Sequence, residues 1–374
     1  MVVWRTGLAV IGVAACLGAA ALVAPRAYEA ARWLAAQDDP AALSDLGVAA
    51  AIRADGAAIA RQIEAALAEG DADLAGSFVA LARAHDVVLP EALTTRVAAA
   101  VDEEKSAAHR AQRFAAGFVT GEVGDMASLA GTVTGDLLVF GDIRDVVREG
   151  QRLASGGEAD HLILGLAAAG LAVTAATYAT TGAATPVRAG LSLVKGARKA
   201  GRLSEPLAKW GARSAREMVD APALRHALAS ASLSQPSRMT GAIRAAFKAE
   251  KAGALMRLGK DVGRVGSKAG GRGAVDVLKV AQGPKDVARA ARLAEAKGGQ
   301  TRAILKLLGR GALVLASGVF NLAMWIFSAI VTMVGCLVSL KAAVERLTQM
   351  WLDRGKRRRR LQASPALPAL AMAP

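Results

Sequence analysis

The residues in this chain best suited to chemistry are three carboxylates set in an apolar stretch. Glu122, Asp125 and Asp136 lie within GFVTGEVGDMASLAGTVTGDLLVFGDIRD, residues 117–145. A carboxylate at the centre of a bilayer costs roughly 2.5–3.5 kcal/mol, more than several apolar neighbours recover at about 0.3–0.6 each. Acids in such a run therefore line a proton or ion pathway, or belong to a helix that does not insert alone. Asp125 and Asp136 stand about three helical turns apart, a spacing that suits a proton relay. Capping or hydrogen bonding inside a helical hairpin is the simpler use of the same groups.

Other reactive chemistry is sparse. The two cysteines, Cys16 and Cys336, both lie in long apolar runs and make no disulfide framework, CxxC pair or Cys/His cluster. His85, His109, His161 and His226 are isolated from one another, so no metal site is expected. There is no Walker A loop, GxSxG elbow or kinase set, and no catalytic or cofactor-binding residues are assigned. GRVGSKAGGRG, residues 263–273, lacks both the GKS/GKT ending and a preceding strand, and reads as a flexible basic linker.

The elements that would position these groups are helices. Alanine is abundant, aromatics make up 4% of the chain, and alternating strand-like blocks are scarce. The Ala/Arg/Gly/Val bias matches a high-GC bacterial coding sequence. Within residues 117–135, Gly117, Gly121, Gly124, Ser128, Gly131 and Gly135 recur at spacings of 4, 3, 4, 3 and 4, and so share one helical face. Glycine in a helix costs roughly 1 kcal/mol against alanine, so such a stripe implies close approach of another backbone. Gly165, Ala168, Ala172, Ala175, Ala179 and Gly182 offer a matching face. The pair reads as an antiparallel hairpin joined by a polar turn over residues 142–160. An irregular loop and strand over residues 131–142 is the competing reading.

Two runs are apolar enough to cross a membrane. Residues 7–24 are uncharged and flanked by Trp4, Arg5, Tyr28, Arg32 and Trp33, an uncleaved anchor rather than a signal peptide. Residues 311–340 carry no charge over about 45 Å of helix, and KRRRR follows at residues 356–360. Residues 162–184 are marginal, either a span or an alanine-rich core helix.

Charge divides the chain. Residues 25–115 hold 9 basic and 14 acidic residues (net −5), and residues 186–310 hold 26 and 8 (net +18), within an overall +15. The acidic stretch reads as amphipathic helices with solvated carboxylates and an N-cap at Asp71 or Asp73. The basic side chains between Lys195 and Arg310 suit anionic lipid or an acidic protein surface, the chain's own acidic half included. Nucleic acid is less favoured, because Trp210 and Phe247 are the only aromatics there for stacking.

The expected fold is all-α: an integral membrane protein with N- and C-terminal transmembrane helices. Its divisions are an anchor at 1–24, an acidic helical region at 25–115 and a Gly/Ala-rich hairpin at 116–186. A basic helical region at 187–310, a span at 311–340 and a partly disordered basic tail at 341–374 complete it. Arg5, Lys341, Arg346, Arg354, Lys356 and Arg357 to Arg360 make nine cations on the outer flanks of the two spans. Arg26, Arg32, Lys297, Arg302, Lys306 and Arg310 make six on the inner flanks. Both termini are therefore expected in the cytoplasm, with an even number of crossings.

The block GDLLVFGDIRDVVREGQRLASGGEADHLILGLAAAGLAVTAATYAT resembles segments of uncharacterised alphaproteobacterial membrane proteins. It is also similar to the Gly-rich segment that precedes toxin modules in polymorphic bacterial toxins. Here, however, the chain ends in a span and a basic tail where such a toxin carries its effector. The resemblance implies an inner-membrane location and carries over no catalytic residue. The expected role is structural or interaction-based in the cell envelope. The alternatives are a transport-related use of the acidic hairpin, or an anionic lipid or nucleic-acid binder through the basic half.

Overall fold

The computed structural model describes residues 2–106, 133–179, 185–220, 222–223, 247–315 and 319–362. These residues are helical and form no strand, apart from one isolated bridge between Val219 and Phe247. Gly117, Gly121, Gly124, Gly131, Glu122 and Asp125 lie outside the described residues. Gly135 and Asp136 fall in the first turn of a helix over Val133–Ala154.

The chain forms two units. Residues 1–36 and 317–374 make one, and residues 37–316 make the other. The first is a pair of long helices, α1 (Val2–Ala35) and α13 (Val319–Gln362). At 1.5 Å per residue they extend about 51 and 66 Å. Cys16 lies beside Ser339, and Arg26 beside Trp325, so the pair is antiparallel. Both helices contain segments long and apolar enough to cross a membrane. Of the large apolar side chains that are solvent-exposed among the described residues, all but Val88 lie on these two helices.

The expected span over residues 311–340 is not one helix. Residues 309–312 form a 3-10 turn, and Ala312 and Leu313 are buried in the core of the other unit. Helix α13 begins at Val319 and runs unbroken through the basic residues 356–360. An apolar run carries no mark of where it leaves a protein core. The uncharged part of α13, residues 319–340, is about 33 Å long, close to a bilayer's hydrocarbon thickness.

The second unit is a helical assembly around one main core. In chain order it contains α2 (Pro40–Ala54), α3 (Ala58–Ala68), α4 (Ala72–Ala84), α5 (Glu91–Lys105) and α6 (Val133–Ala154). It continues with α7 (His161–Ala179), α8 (Thr185–Lys199), α9 (Glu205–Met218), α10 (Gly253–Val280), α11 (Pro284–Lys297) and α12 (Thr301–Leu308). Asp39 and Asp71 cap α2 and α4 by accepting from the Ala41 and Leu74 amides. Gly70, Gly201 and Gly298 take positive φ in the turns that follow α3, α8 and α11, where the sequence marks breaks.

Residues 162–170 are buried without exception, so α7 is a core helix rather than a lipid-facing one. It packs on α6, α8 and α9. The expected turn over residues 142–160 is helical as far as Ala154, and only residues 155–160 turn. The polar residues that suggested a turn belong to an amphipathic helix whose carboxylates find partners inside the fold.

Glycine-mediated packing occurs where the sequence suggested a linker. Residues 263–273 are part of α10, interrupted by Gly270 at φ 76°, ψ 168°. A Cβ at Gly190 would strike the Gly259 carbonyl oxygen, one at Gly263 the Pro186 carbonyl oxygen, and one at Gly259 would lie 3.0 Å from the Val187 carbonyl oxygen. Helices α8 and α10 therefore touch backbone to backbone. Gly190→Val is expected to lower unfolding free energy by about 1–3 kcal/mol, because backbone must move to admit the side chain. Gly196→Ala on the same helix meets nothing within 4 Å and is expected to be neutral or to stabilise by up to about 1 kcal/mol. Urea unfolding of the detergent-solubilised protein, followed by far-UV circular dichroism, distinguishes the two.

Candidate functional site

The acidic and basic parts of the second unit meet at a buried guanidinium. Arg302, in the first turn of α12, is 4% exposed and uses every edge of its fork. Its Nη1 and Nη2 donate to the two oxygens of Asp71 at 2.9 and 2.8 Å, Nη1 to Asp73 at 2.8 Å, and Nε to Asp276 at 3.0 Å. Arg272 donates to Asp71 at 3.2 Å and to Glu104 at 2.8 Å, and the other Glu104 oxygen accepts from the Asp73 amide. Alongside, Ser77 Oγ donates to the Gly299 carbonyl at 2.6 Å and accepts from the Ala303 amide at 2.9 Å. Lys297 holds both oxygens of Asp45 at 2.7 and 2.8 Å. Asp71, Asp276 and Glu104 are shielded from solvent, unlike the solvated faces that an amphipathic pattern suggests, whereas Asp45 and Asp73 remain exposed. A single sequence does not show which charged face of a helix meets an opposite one.

Burial by itself would raise the Asp71 carboxyl, but hydrogen bonds and charge from Arg302 prevail. With the Leu74 amide and Arg272, they hold it at about 2 against an ordinary 3.8. Burial works against the Arg302 charge, yet Asp71 and Asp276 raise its pKa above the usual arginine value.

A second charged cluster joins α6 to α8. Asp142 and Asp145 are buried and face Arg188, Lys195 and Lys199. Lys195 bridges the two acids, bonding Asp142 and lying 3.0 Å from Asp145. Lys199 chelates Asp145 with both contacts at 2.8 Å. Arg188 reaches Asp142 at 3.3 Å and donates to the Gly170 carbonyl at 2.8 Å. One turn further along α6, the buried Glu149 accepts from Arg148, Arg152 and the Asp160 amide. Burial raises the Asp142 carboxyl above its ordinary value despite Lys195 and Arg188. Asp145 is also pushed up by burial, but its bonds from Lys199 and Lys195 win and hold it low.

The apolar run marks Glu122, Asp125 and Asp136 in the sequence, and nothing equally local marks these buried acids. Their signal was present nonetheless. Asp142, Asp145 and Glu149 share one face of α6, and Arg188, Lys195 and Lys199 share one face of α8. The two stripes are complementary and separated by a single helix.

Chemically, both clusters consist of charges committed to one another. Among the described residues no group of three or more His, Cys, Asp or Glu is placed to hold a metal. Neither cluster contains a thiol. The arrangement suits mechanical joining of helices, because Arg272, Arg302, Arg188, Lys195 and Lys199 each bond an acid on another segment. No family model, curated protein or solved structure matches the chain. Fold and contacts together define an all-helical protein with two helices able, by length and composition, to cross a membrane.

Removing Arg302 strands three carboxylates around a buried position. Arg302→Met is expected to cost roughly 3–5 kcal/mol, whereas exposed Arg213→Met should stay within about 0.5 kcal/mol. Because the folded Asp71 titrates below the unfolded one, its contribution is complete above about pH 4 and is lost as pH falls toward 2. That contribution is about 2 kcal/mol. Urea midpoints measured from pH 5 to pH 2 should show this loss in the parent chain and a flatter profile in Arg302→Met.

Proposed function

We propose that the chain is an integral protein of a bacterial inner membrane with a structural or interaction role in the cell envelope. The observation that carries this reading is the confinement of exposed large apolar side chains to α1 and α13, with Val88 the one exception among the described residues. A soluble surface does not concentrate that much apolar area on two long helices. Lipid would cover it.

Antiparallel pairing supports two crossings. Aromatic and basic residues mark both ends, as expected at membrane interfaces: Trp4, Arg5, Trp351 and Arg354 at one, and Arg26, Trp33 and Trp325 at the other. Arg26 stacks on Trp325 at 5.0 Å. The burial of residues 162–170 supports reading α7 as a core helix and not as a third span. The basic end of α13 favours the cytoplasm and supports the reading that both termini are cytoplasmic.

The partner we propose is an acidic protein surface or anionic lipid. Part of the basic half is satisfied within the chain, by Arg272, Lys297, Arg302 and Arg310. Arg202, Arg213, Arg216, Arg257 and Lys260 remain on the surface and would supply that contact.

Topology tests the reading. Single cysteines are introduced by Ala57→Cys, Gly157→Cys or Gly355→Cys into full-length chain carrying Cys16→Ser and Cys336→Ser. A membrane-impermeant maleimide is expected to label positions 57 and 157 in spheroplasts and position 355 only after lysis. The reverse pattern would invert the orientation. Labelling of 57 and 157 from opposite sides would sink the two-span arrangement, and release of the protein by alkaline carbonate would sink the membrane reading itself.

A further inference from the structure

The chain contains two cysteines in 374 residues, 320 positions apart, and the fold brings them together. Cys16 Sγ on α1 lies 3.5 Å from Ser339 Oγ on α13, and Cys336 stands one helical turn before Ser339 on the same helix, which sets the two thiols side by side. Both thiols are half-buried in the seam between the helices. Only one register of an antiparallel pair makes this meeting possible.

We infer that Cys16 and Cys336 form a disulfide site that clamps the two membrane helices together, and that its oxidant is a lipid-dissolved quinone. The choice of oxidant follows from depth and rests on the membrane reading above; the thiol pairing does not. Along α1, Cys16 is 11 residues from Arg5 and 10 from Arg26, about 16 and 15 Å from the charges that bound its apolar run, and on α13 Cys336 lies five residues, about 8 Å, inside Lys341. Water-soluble oxidants do not reach such a position readily, whereas a quinone resides there. Closure forms one S–S bond. The two thiols give up two electrons and two protons, and the quinone takes up all four to become the hydroquinone. The bond closes a loop containing the whole second unit and prevents α1 and α13 from separating.

The test uses membranes containing the full-length chain, treated with decylubiquinone, denatured, and labelled with a polyethylene-glycol maleimide. Untreated protein is expected to carry two adducts, and quinone-treated protein none, running as a monomer without reductant and regaining both adducts after dithiothreitol. Cys16→Ser and Cys336→Ser should each keep one adduct under every condition. The clamp is overturned if both adducts persist with the quinone and with diamide alike, or if oxidation yields covalent dimers. Closure by diamide but not by the quinone overturns the oxidant. Carbonate extraction of the same membranes separates the two readings: chain recovered in the supernatant with its thiols closed would overturn the membrane placement and leave the pairing intact.

Discussion

The second unit depends on the desolvated Arg302 guanidinium. Helices α2 to α5 come from one end of that unit's sequence and α10 to α12 from the other, and their charges oppose. Arg302 joins α12 to the N-terminus of α4 through Asp71 and Asp73, and to α10 through Asp276. Asp71 is at once the cap of α4 and the main anion of the cluster. A buried ion pair gains little over an apolar substitute, but a broken one leaves a charge without water or partner. The cluster therefore enforces this docking over alternatives that also bury apolar surface.

Around that joint the helices are held by close approach and by a second set of buried charges. Gly190, Gly259 and Gly263 let α8 and α10 meet at backbone distance, which dispersion favours and any Cβ prevents. The Asp142 and Asp145 cluster ties α6 to α8 on either side of α7. Alanine-rich helices offer small side chains and hence modest apolar burial per residue. Specific charged contacts and tight glycine seams give such a core a unique arrangement.

The paired long helices answer a different constraint. Their apolar surfaces face outward, while the two helices pack closely against each other and are joined by polar contacts: a thiol with a hydroxyl, and an arginine over a tryptophan. In lipid no hydrophobic drive holds two helices together, so packing and polar contacts must do so. A covalent link between Cys16 and Cys336 would lock that pairing in one register.

Much of this was legible in the sequence because it is local. Alanine content and periodicity mark helices, Gly70, Gly201 and Gly298 mark turns, Asp71 marks a cap, and the charge-free runs mark the two long apolar helices. Segregation of acid and base along the chain was equally plain. What the sequence could not determine is which surfaces meet. It did not reveal that residues 263–273 pack as a helix against Gly190, that Ala312 and Leu313 belong to a core, or that Asp142 and Asp145 face Lys195. Nor did it bring Cys16 to Cys336. Helix formation depends on neighbours three and four residues away, whereas contacts such as Asp145 with Lys195 and Cys16 with Ser339 join positions 50 and 323 residues apart, and only tertiary packing selects them.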